Sequence, residues 1–121
     1  MKLSEIVDKL GLGVRTGSGK LDRDVSRGYA SDLMSDVIAH GMKNDIWVTL
    51  QVHLNIVAVA SMKELSCIIL FNGKEPEKDT RNKAEEEGIP IFVSELPAFE
   101  LIGQLYQLGI SGKRNEPKER A

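Results

Sequence analysis

The chain has 121 residues, enough for one domain whose single hydrophobic core needs no metal or disulfide to hold it together. Its 16 basic and 18 acidic residues give a formal charge of −2 and form no basic stripe, which argues against nucleic acid as a partner. Cys67 is the single cysteine, and no apolar run approaches the ~18 residues of a membrane span, so we expect a reducing, cytoplasmic environment, no disulfide and no membrane partner.

The N-terminal part predicts a helix followed by two short strands. Apolar residues three or four apart between Leu3 and Leu10 predict a short amphipathic helix that ends at Gly11. "LGVR" and "DVSRGYA" then predict two extended segments joined by "TGSGK". A phosphate-binding loop requires G-x-x-x-x-G-K-[ST], but here the first glycine is replaced by Val14 and the hydroxyl residue by Leu21. We therefore expect a flexible glycine loop rather than a phosphate site.

"SDLMSDVIAHG" predicts a second helix, capped by Ser31 and ended by Gly41. Asp32 and Asp36 lie four residues apart on its polar face and would share a cation or, as the alternative, be solvated carboxylates of the first turn. We expect His40 to offset the helix dipole rather than to take part in catalysis. The residues expected on the core face are Leu33, Met34, Val37 and Ile38.

From residue 46 to 109 strands and helices alternate. "IWVTLQV", "SCIILF" and "IPIFV" predict buried strands, and "HLNIVAVASMKEL", "EPEKDTRNKAEEEG" and "LPAFELIGQLYQLG" predict helices. Asn55 is expected to cap the first of these helices and Gly88 to end the second. Trp47 is expected in the core or at a dimer interface, and Cys67 in the core. The last helix is expected to place these residues on or near its core face: Phe99, Ile102, Leu105, Tyr106 and Leu108.

Repeated strand–helix units imply right-handed crossovers and a mainly parallel sheet with helices on both faces. The sequence therefore predicts a three-layer α/β/α domain over residues 1–110. Residues 111–121 have almost nothing to bury and alternate in charge, so we expect them to form a disordered tail.

Ligands of such sheets bind beyond the carboxyl ends of the strands. In "TLQVHLN" polar and apolar residues alternate, so the polar ones would share one side of an extended segment and face the crevice. With Asn55 as a cap, free N–H groups of the helix would favour an anionic ligand, and His53 would add positive charge as the pH falls. The alternative is that the polar residues satisfy loop backbone groups and that His53 lies on the surface. The candidate crevice residues are Asp32, Thr49, Gln51, His53, Asn55, Asn72 and Ser94.

"LDRDVSRGYASDLMSDV", residues 21–37, resembles the signature of the DRTGG domain, and the resemblance extends over residues 12–109. The matching positions are Asp22, Arg23, Gly28 and Ser26, which stands in place of threonine, whereas Arg27 replaces the family's first glycine. The resemblance implies an α/β domain related to the N-terminal domain of HPr kinase/phosphorylase and to accessory regions of phosphotransacetylases and regulated pyrophosphatases. Such regions usually form dimers, and the chain is similar to freestanding DRTGG proteins.

Three functions stay open. The first is a non-catalytic regulatory module that binds a small phosphorylated metabolite or nucleotide and acts through a partner protein, and the second is a structural dimeric adaptor. The third, a small hydrolase or phosphotransferase, would have to use His53 or Asp32, because catalysis near neutral pH needs a titrating group or a metal-binding carboxylate. No metal-ligand spacing is present, and we expect no cofactor.

A homodimer is expected, because the short strands around Val14 and Val25 leave weakly protected sheet edges. Arg23 would pair with a carboxylate of the second chain or, as the alternative, hold a ligand anion. Gly28 would allow a close backbone approach for packing.

Overall fold

A computed structural model describes residues 1–113 of the chain. Within this range the chain alternates helices and strands after a short N-terminal helix, and a single 3₁₀ turn, Ser18–Lys20, follows the first strand. The helices are α1 (Leu3–Leu10), α2 (Met34–His40), α3 (Asn55–Met62), α4 (Lys78–Glu87) and α5 (Ala98–Gln107). The strands are β1 (Gly13–Thr16), β2 (Arg27–Ala30), β3 (Asp45–Thr49), β4 (Cys67–Leu70) and β5 (Ile91–Val93).

The strands form one sheet in the order β1-β5-β4-β3-β2. The four strands from β2 to β5 are parallel, as their helical connections require, whereas β1 pairs antiparallel with β5. The predicted mainly parallel sheet is therefore confirmed. β1 and β2, the two strands that precede the repeated strand–helix units, lie at opposite edges of the sheet.

Each face of the sheet carries its own apolar core, because the strands are buried on both sides. One core packs α2, α3 and α4 against the sheet and contains Trp47, which is fully buried and donates its indole N–H to the Ser31 carbonyl at 2.8 Å. The other packs α1 and α5 and contains Phe92 and Cys67. Burial raises the pKa of the Cys67 thiol. The three-layer α/β/α architecture is thus confirmed, with Trp47 and Cys67 in its cores.

The start of α2 differs from the prediction. The helix begins at Met34, and the Ser31 hydroxyl accepts a hydrogen bond from the Leu33 N–H in the preceding loop instead of capping the helix. This later start leaves Leu33 64% exposed, so that Val37, with Met34, faces the sheet. Ile38, also expected in the core, is partly exposed at 39%.

Two details of α3 and α5 also correct the prediction. Asn55 is the first residue of α3 rather than its cap, and the preceding Leu54 provides no side-chain cap. In α5 the residues that face the sheet are Leu101 and Leu105, four apart, which places Phe99 on the opposite side, 88% exposed. Tyr106 is half-exposed for the same reason.

Residues 110–112, called the strap below, run along the free edge of β2. The Ser111 carbonyl accepts a hydrogen bond from the Gly28 N–H at 3.0 Å, and the Gly112 N–H donates to the Tyr106 hydroxyl at 3.0 Å. Two residues assigned to the expected tail therefore contact the folded domain. Residues 114–121, the rest of that tail, lie outside the described residues. No helix within residues 1–113 has the length and apolar character to cross a membrane.

Candidate functional site

At the carboxyl ends of β2 and β3, Asp32, Thr49 and Gln51 come together through hydrogen bonds to one another. One carboxylate oxygen of Asp32 accepts hydrogen bonds from the Thr49 hydroxyl at 2.7 Å and from the Leu50 N–H at 2.8 Å. The Gln51 amide donates to the Asp32 carbonyl at 2.8 Å. Asp32 thus lies outside α2, and it ties the loop after β2 to the end of β3.

His53 and Asn55 do not join this group. The His53 Nδ1 lies 2.8 Å from a carboxylate oxygen of Glu77, directly before α4, and both side chains are more than half exposed. The segment is not extended, because the chain turns at His53 and Leu54, whose carbonyls accept hydrogen bonds from the N–H groups of Ile56 and Val57. Leu54 therefore points outward, 48% exposed, and these two first-turn N–H groups of α3 are already used.

Asn72 and Ser94 follow β4 and β5 and shape the turns there. Ser94 is buried, and its hydroxyl accepts a hydrogen bond from the Leu96 N–H at 3.1 Å. Asn72 and Gly73 have positive φ, and their N–H groups donate to the carbonyls of Leu96 and Ser94. The Ser94 side chain thus serves the local turn, whereas the Asn72 side chain is exposed.

The charges at this edge of the sheet are mainly negative. Arg15 on β1 makes a two-pronged contact with Glu75, at 2.6 and 2.7 Å, and this hydrogen bonding lowers the pKa of Glu75. Gly73 lies against the carboxylate of Glu95. The carboxylates near the strand ends, Asp32, Glu75, Glu77 and Glu95, outnumber the permanent cations Arg15, Lys74 and Arg81. An anionic ligand is disfavoured by such a potential.

The glycine loop after β1 is held by its own neighbours. The Gly17 N–H donates to a Glu85 carboxylate oxygen at 2.9 Å, and the Thr16 hydroxyl donates to the Ile89 carbonyl at 2.7 Å. Gly17 has a φ of +76°, as expected for this loop. A phosphate-binding loop offers free N–H groups to an anion, whereas the Gly17 N–H is already bonded to a carboxylate whose charge would repel a phosphate.

Two residues of the DRTGG-like signature, Arg23 and Gly28, make hydrogen bonds within the chain. The Arg23 guanidinium donates to the carbonyls of Ser66 and Gly88, at 3.3 and 2.9 Å. Asp22 and Ser26 are exposed. The strap backbone approaches Gly28 closely, because the Gly28 N–H donates to the Ser111 carbonyl at 3.0 Å. A Cβ added to Gly28 would lie 3.8 Å from Ile110, which is ordinary contact, so this approach does not require glycine.

Arg27 is the residue that sequence reasoning missed. It is paired in register with Asp45, and its Nε lies 2.9 Å from the fully buried Asp45 carboxylate. The guanidinium also donates to the His40 carbonyl at 2.7 Å and lies 5.5 Å from the Tyr29 ring centroid. A charged residue at the first position of two adjacent strands is the signal that would have predicted this pair.

Asp36 and Asp32 do not share a site. Asp36 lies in α2, where it accepts a hydrogen bond from the Tyr29 hydroxyl at 2.9 Å. Hydrogen bonds from the Ser31 and Tyr29 hydroxyls lower the pKa of Asp36. His40 lies one turn further along, at the end of α2, with its Nε2 3.9 Å from Asp36. Within residues 1–113 no three His, Cys, Asp or Glu side chains are grouped to hold a metal ion.

An apolar cavity of about 230 Å³ lies away from the predicted crevice, between β2, α5 and the strap. We call it the β2–α5 cavity. The side chains and backbone that line it include Gly28, Ala30, Val48, Leu105, Tyr106 and Ile110.

No family model matches the chain, and no curated protein matches its sequence. Its fold is similar to the crystal structure of the CBS and DRTGG domains of the regulatory region of Clostridium perfringens pyrophosphatase, complexed with its activator diadenosine tetraphosphate. The TM-score is 0.63 at 15% identity, over 83% of this chain and 44% of that chain. The similarity confirms the DRTGG-like α/β fold. The chain spans less than half the length of this relative.

Proposed function

We propose that the chain is a non-catalytic regulatory domain that binds a nucleotide or another small phosphorylated metabolite and acts through a partner protein. The observation that carries this proposal is the fold shared with a regulatory region whose activator is a nucleotide. The activator is a ligand of that whole regulatory region, so nucleotide binding by this chain is itself part of the proposal.

The positions of the candidate catalytic groups support a non-catalytic role. His53 contacts Glu77, whereas Asp32 is hydrogen-bonded to Thr49 and the Leu50 N–H. General acid–base catalysis needs such groups within reach of one substrate atom. Their use in separate contacts is the arrangement expected of residues that stabilise loops.

We further propose a cytoplasmic homodimer. The support is an exposed apolar stripe on and just before α3: Leu54, Ala58 and Met62. If the dimer had no ligand, the chain would be a structural adaptor instead. Light scattering at micromolar concentration tests the dimer, and a monomer contradicts it.

Thermal unfolding in the presence of a panel of nucleotides and sugar phosphates tests the regulatory function. A ligand that binds only the native chain at 100 times its Kd adds about 2.7 kcal/mol to the free energy of unfolding, which raises the Tm measurably. We expect at least one nucleotide to do so. An unchanged Tm across the panel favours the adaptor.

A further inference from the structure

The β2–α5 cavity is a partly open pocket bounded by β2, α5 and the strap. Gly28, Tyr29 and Ala30 of β2 border it, but the Tyr29 hydroxyl donates to Asp36 of α2, so the large side chain of that strand is engaged elsewhere. The strap forms one side of the cavity and is attached at several points. Besides the bonds from the Gly28 N–H and to the Tyr106 hydroxyl, Arg27 donates to the Gly112 carbonyl at 3.3 Å.

The cavity suits the aromatic end of a ligand. Its volume lies below the ~300–1,000 Å³ of sites that take whole drug-sized molecules, and its lining is mostly carbon. The Ala30 N–H is a polar group at its border. Because the Ser31 N–H donates to Val48 on β3, the Ala30 N–H points to the free edge, and no acceptor from residues 1–113 meets it there. A flat ring with a hydrogen-bond acceptor at its edge, such as a nucleobase, matches this arrangement.

A basic depression adjoins the cavity across the strap. It has a volume of about 350 Å³, shares Ser111 with the cavity, and is lined by Lys43, Lys113 and Arg27. Arg27 is neutralised by Asp45, but Lys43 and Lys113 have no ion-pair partner in the described part of the chain. Positive charge next to an apolar cavity matches a ligand that joins an aromatic ring to an anionic group.

From these two features we infer that the chain binds its nucleotide along the edge of β2, with the base in the β2–α5 cavity and the phosphate at Lys43 and Lys113. The inference rests on the proposed function and assigns its site. It places the ligand away from the crevice at the strand ends, where carboxylates outnumber cations.

Calorimetry with the full chain tests the base site, with AMP and adenosine as probes. Ala30→Leu adds a branched side chain where the base would lie, and we expect it to weaken binding of both probes about tenfold or more. The matched control is Ala39→Leu, which makes the same change on the exposed surface of α2 and leaves both affinities unchanged.

The phosphate site is tested by the double variant Lys43→Ala/Lys113→Ala. We expect it to weaken AMP binding about tenfold at low salt and to leave adenosine binding unchanged, because adenosine carries no phosphate. Lys9→Ala, which removes an exposed lysine of α1, is the control and has no effect on either probe.

The outcomes separate the site from the function. If Ala30→Leu binds AMP as tightly as the unsubstituted chain, or if His53→Ala with Asn72→Ala abolishes binding, the site is overturned while the regulatory function stands. If the unsubstituted chain binds no nucleotide, both are overturned. Should Ala30→Leu fail to fold, amide NMR of the unsubstituted chain decides. Shifts at Ala30 and Gly112 on adding AMP support the site, and shifts confined to residues 49–55 overturn it.

Discussion

Replacing one partner of the buried ion pair Arg27–Asp45 is expected to destabilise the fold strongly. Asp45 is fully buried and accepts hydrogen bonds from Arg27 at 2.9 Å and from the Met42 N–H at 2.8 Å. Arg27→Met keeps an unbranched side chain but leaves the carboxylate with the single Met42 donor. Removing one partner of a buried ion pair costs about 3–5 kcal/mol, because the remaining charge stays buried without compensation.

Urea denaturation followed by tryptophan fluorescence measures this loss, since Trp47 is the only tryptophan and is fully buried. In a thermal melt with the same readout, the Tm is expected to fall by about 12–20 °C, at about 4 °C per kcal/mol for a domain of this size. The control is Asp24→Asn in the exposed pair Lys2–Asp24, which we expect to cost about 1 kcal/mol or less.

The double variant Arg27→Met/Asp45→Leu tests the reasoning itself. Because replacing both charges removes the uncompensated one, it should lose much less stability than the two single variants added together. The argument is refuted if Arg27→Met costs no more than Asp24→Asn, or if the two single losses simply add.

Two further predictions concern the sheet edge formed by β1. Gly17→Ala should destabilise the chain by more than about 1 kcal/mol, because φ is +76° and the new Cβ would lie 2.6 Å from the Pro90 Cα, whereas Gly19→Ala, with open space around it, should change the free energy of unfolding by less than about 0.5 kcal/mol in the same urea assay. Arg15 lowers the pKa of Glu75 from its ordinary 4.5. The contribution of this pair to the free energy of unfolding is therefore fully present above pH 4.5 and is lost as the pH falls through the lowered pKa. The difference in unfolding free energy between the unsubstituted chain and Arg15→Gln should therefore be below about 1 kcal/mol at pH 7 and should vanish in acid; a difference that grows in acid contradicts this.

The strand–helix alternation could be predicted because it depends on local composition. "SCIILF" and "IWVT" are continuous apolar runs, which only a sheet buried on both faces accommodates, and this fixes the layers and the parallel pairing. The start of α2 could not be predicted in the same way. It depends on the Asp32 carboxylate, which bonds to Thr49 seventeen residues away and holds the chain in a loop where the local pattern favours helix.

The candidate crevice was predicted only in part for a related reason. Alternation of polar residues from 49 to 55 implies one shared face only if the segment stays extended, and the turn at His53 and Leu54 divides it. The strap was missed because its pairing with β2 uses backbone groups. Such contacts leave no side-chain pattern, so a polar sequence that begins with Ser111 looked like a tail.

Arg27 connects the stability of the domain to the proposed ligand site. The same guanidinium pairs with Asp45 in the core and donates to Gly112 in the strap, which forms one wall of the β2–α5 cavity. A strap held to the edge of the sheet by a few hydrogen bonds opens at a lower free energy than the core does. A ligand that contacts the strap would lower the population of that open state. A partner protein that binds the open and the closed strap differently would then respond to the ligand without any rearrangement of the core. This is how the proposed regulatory domain would act on a partner.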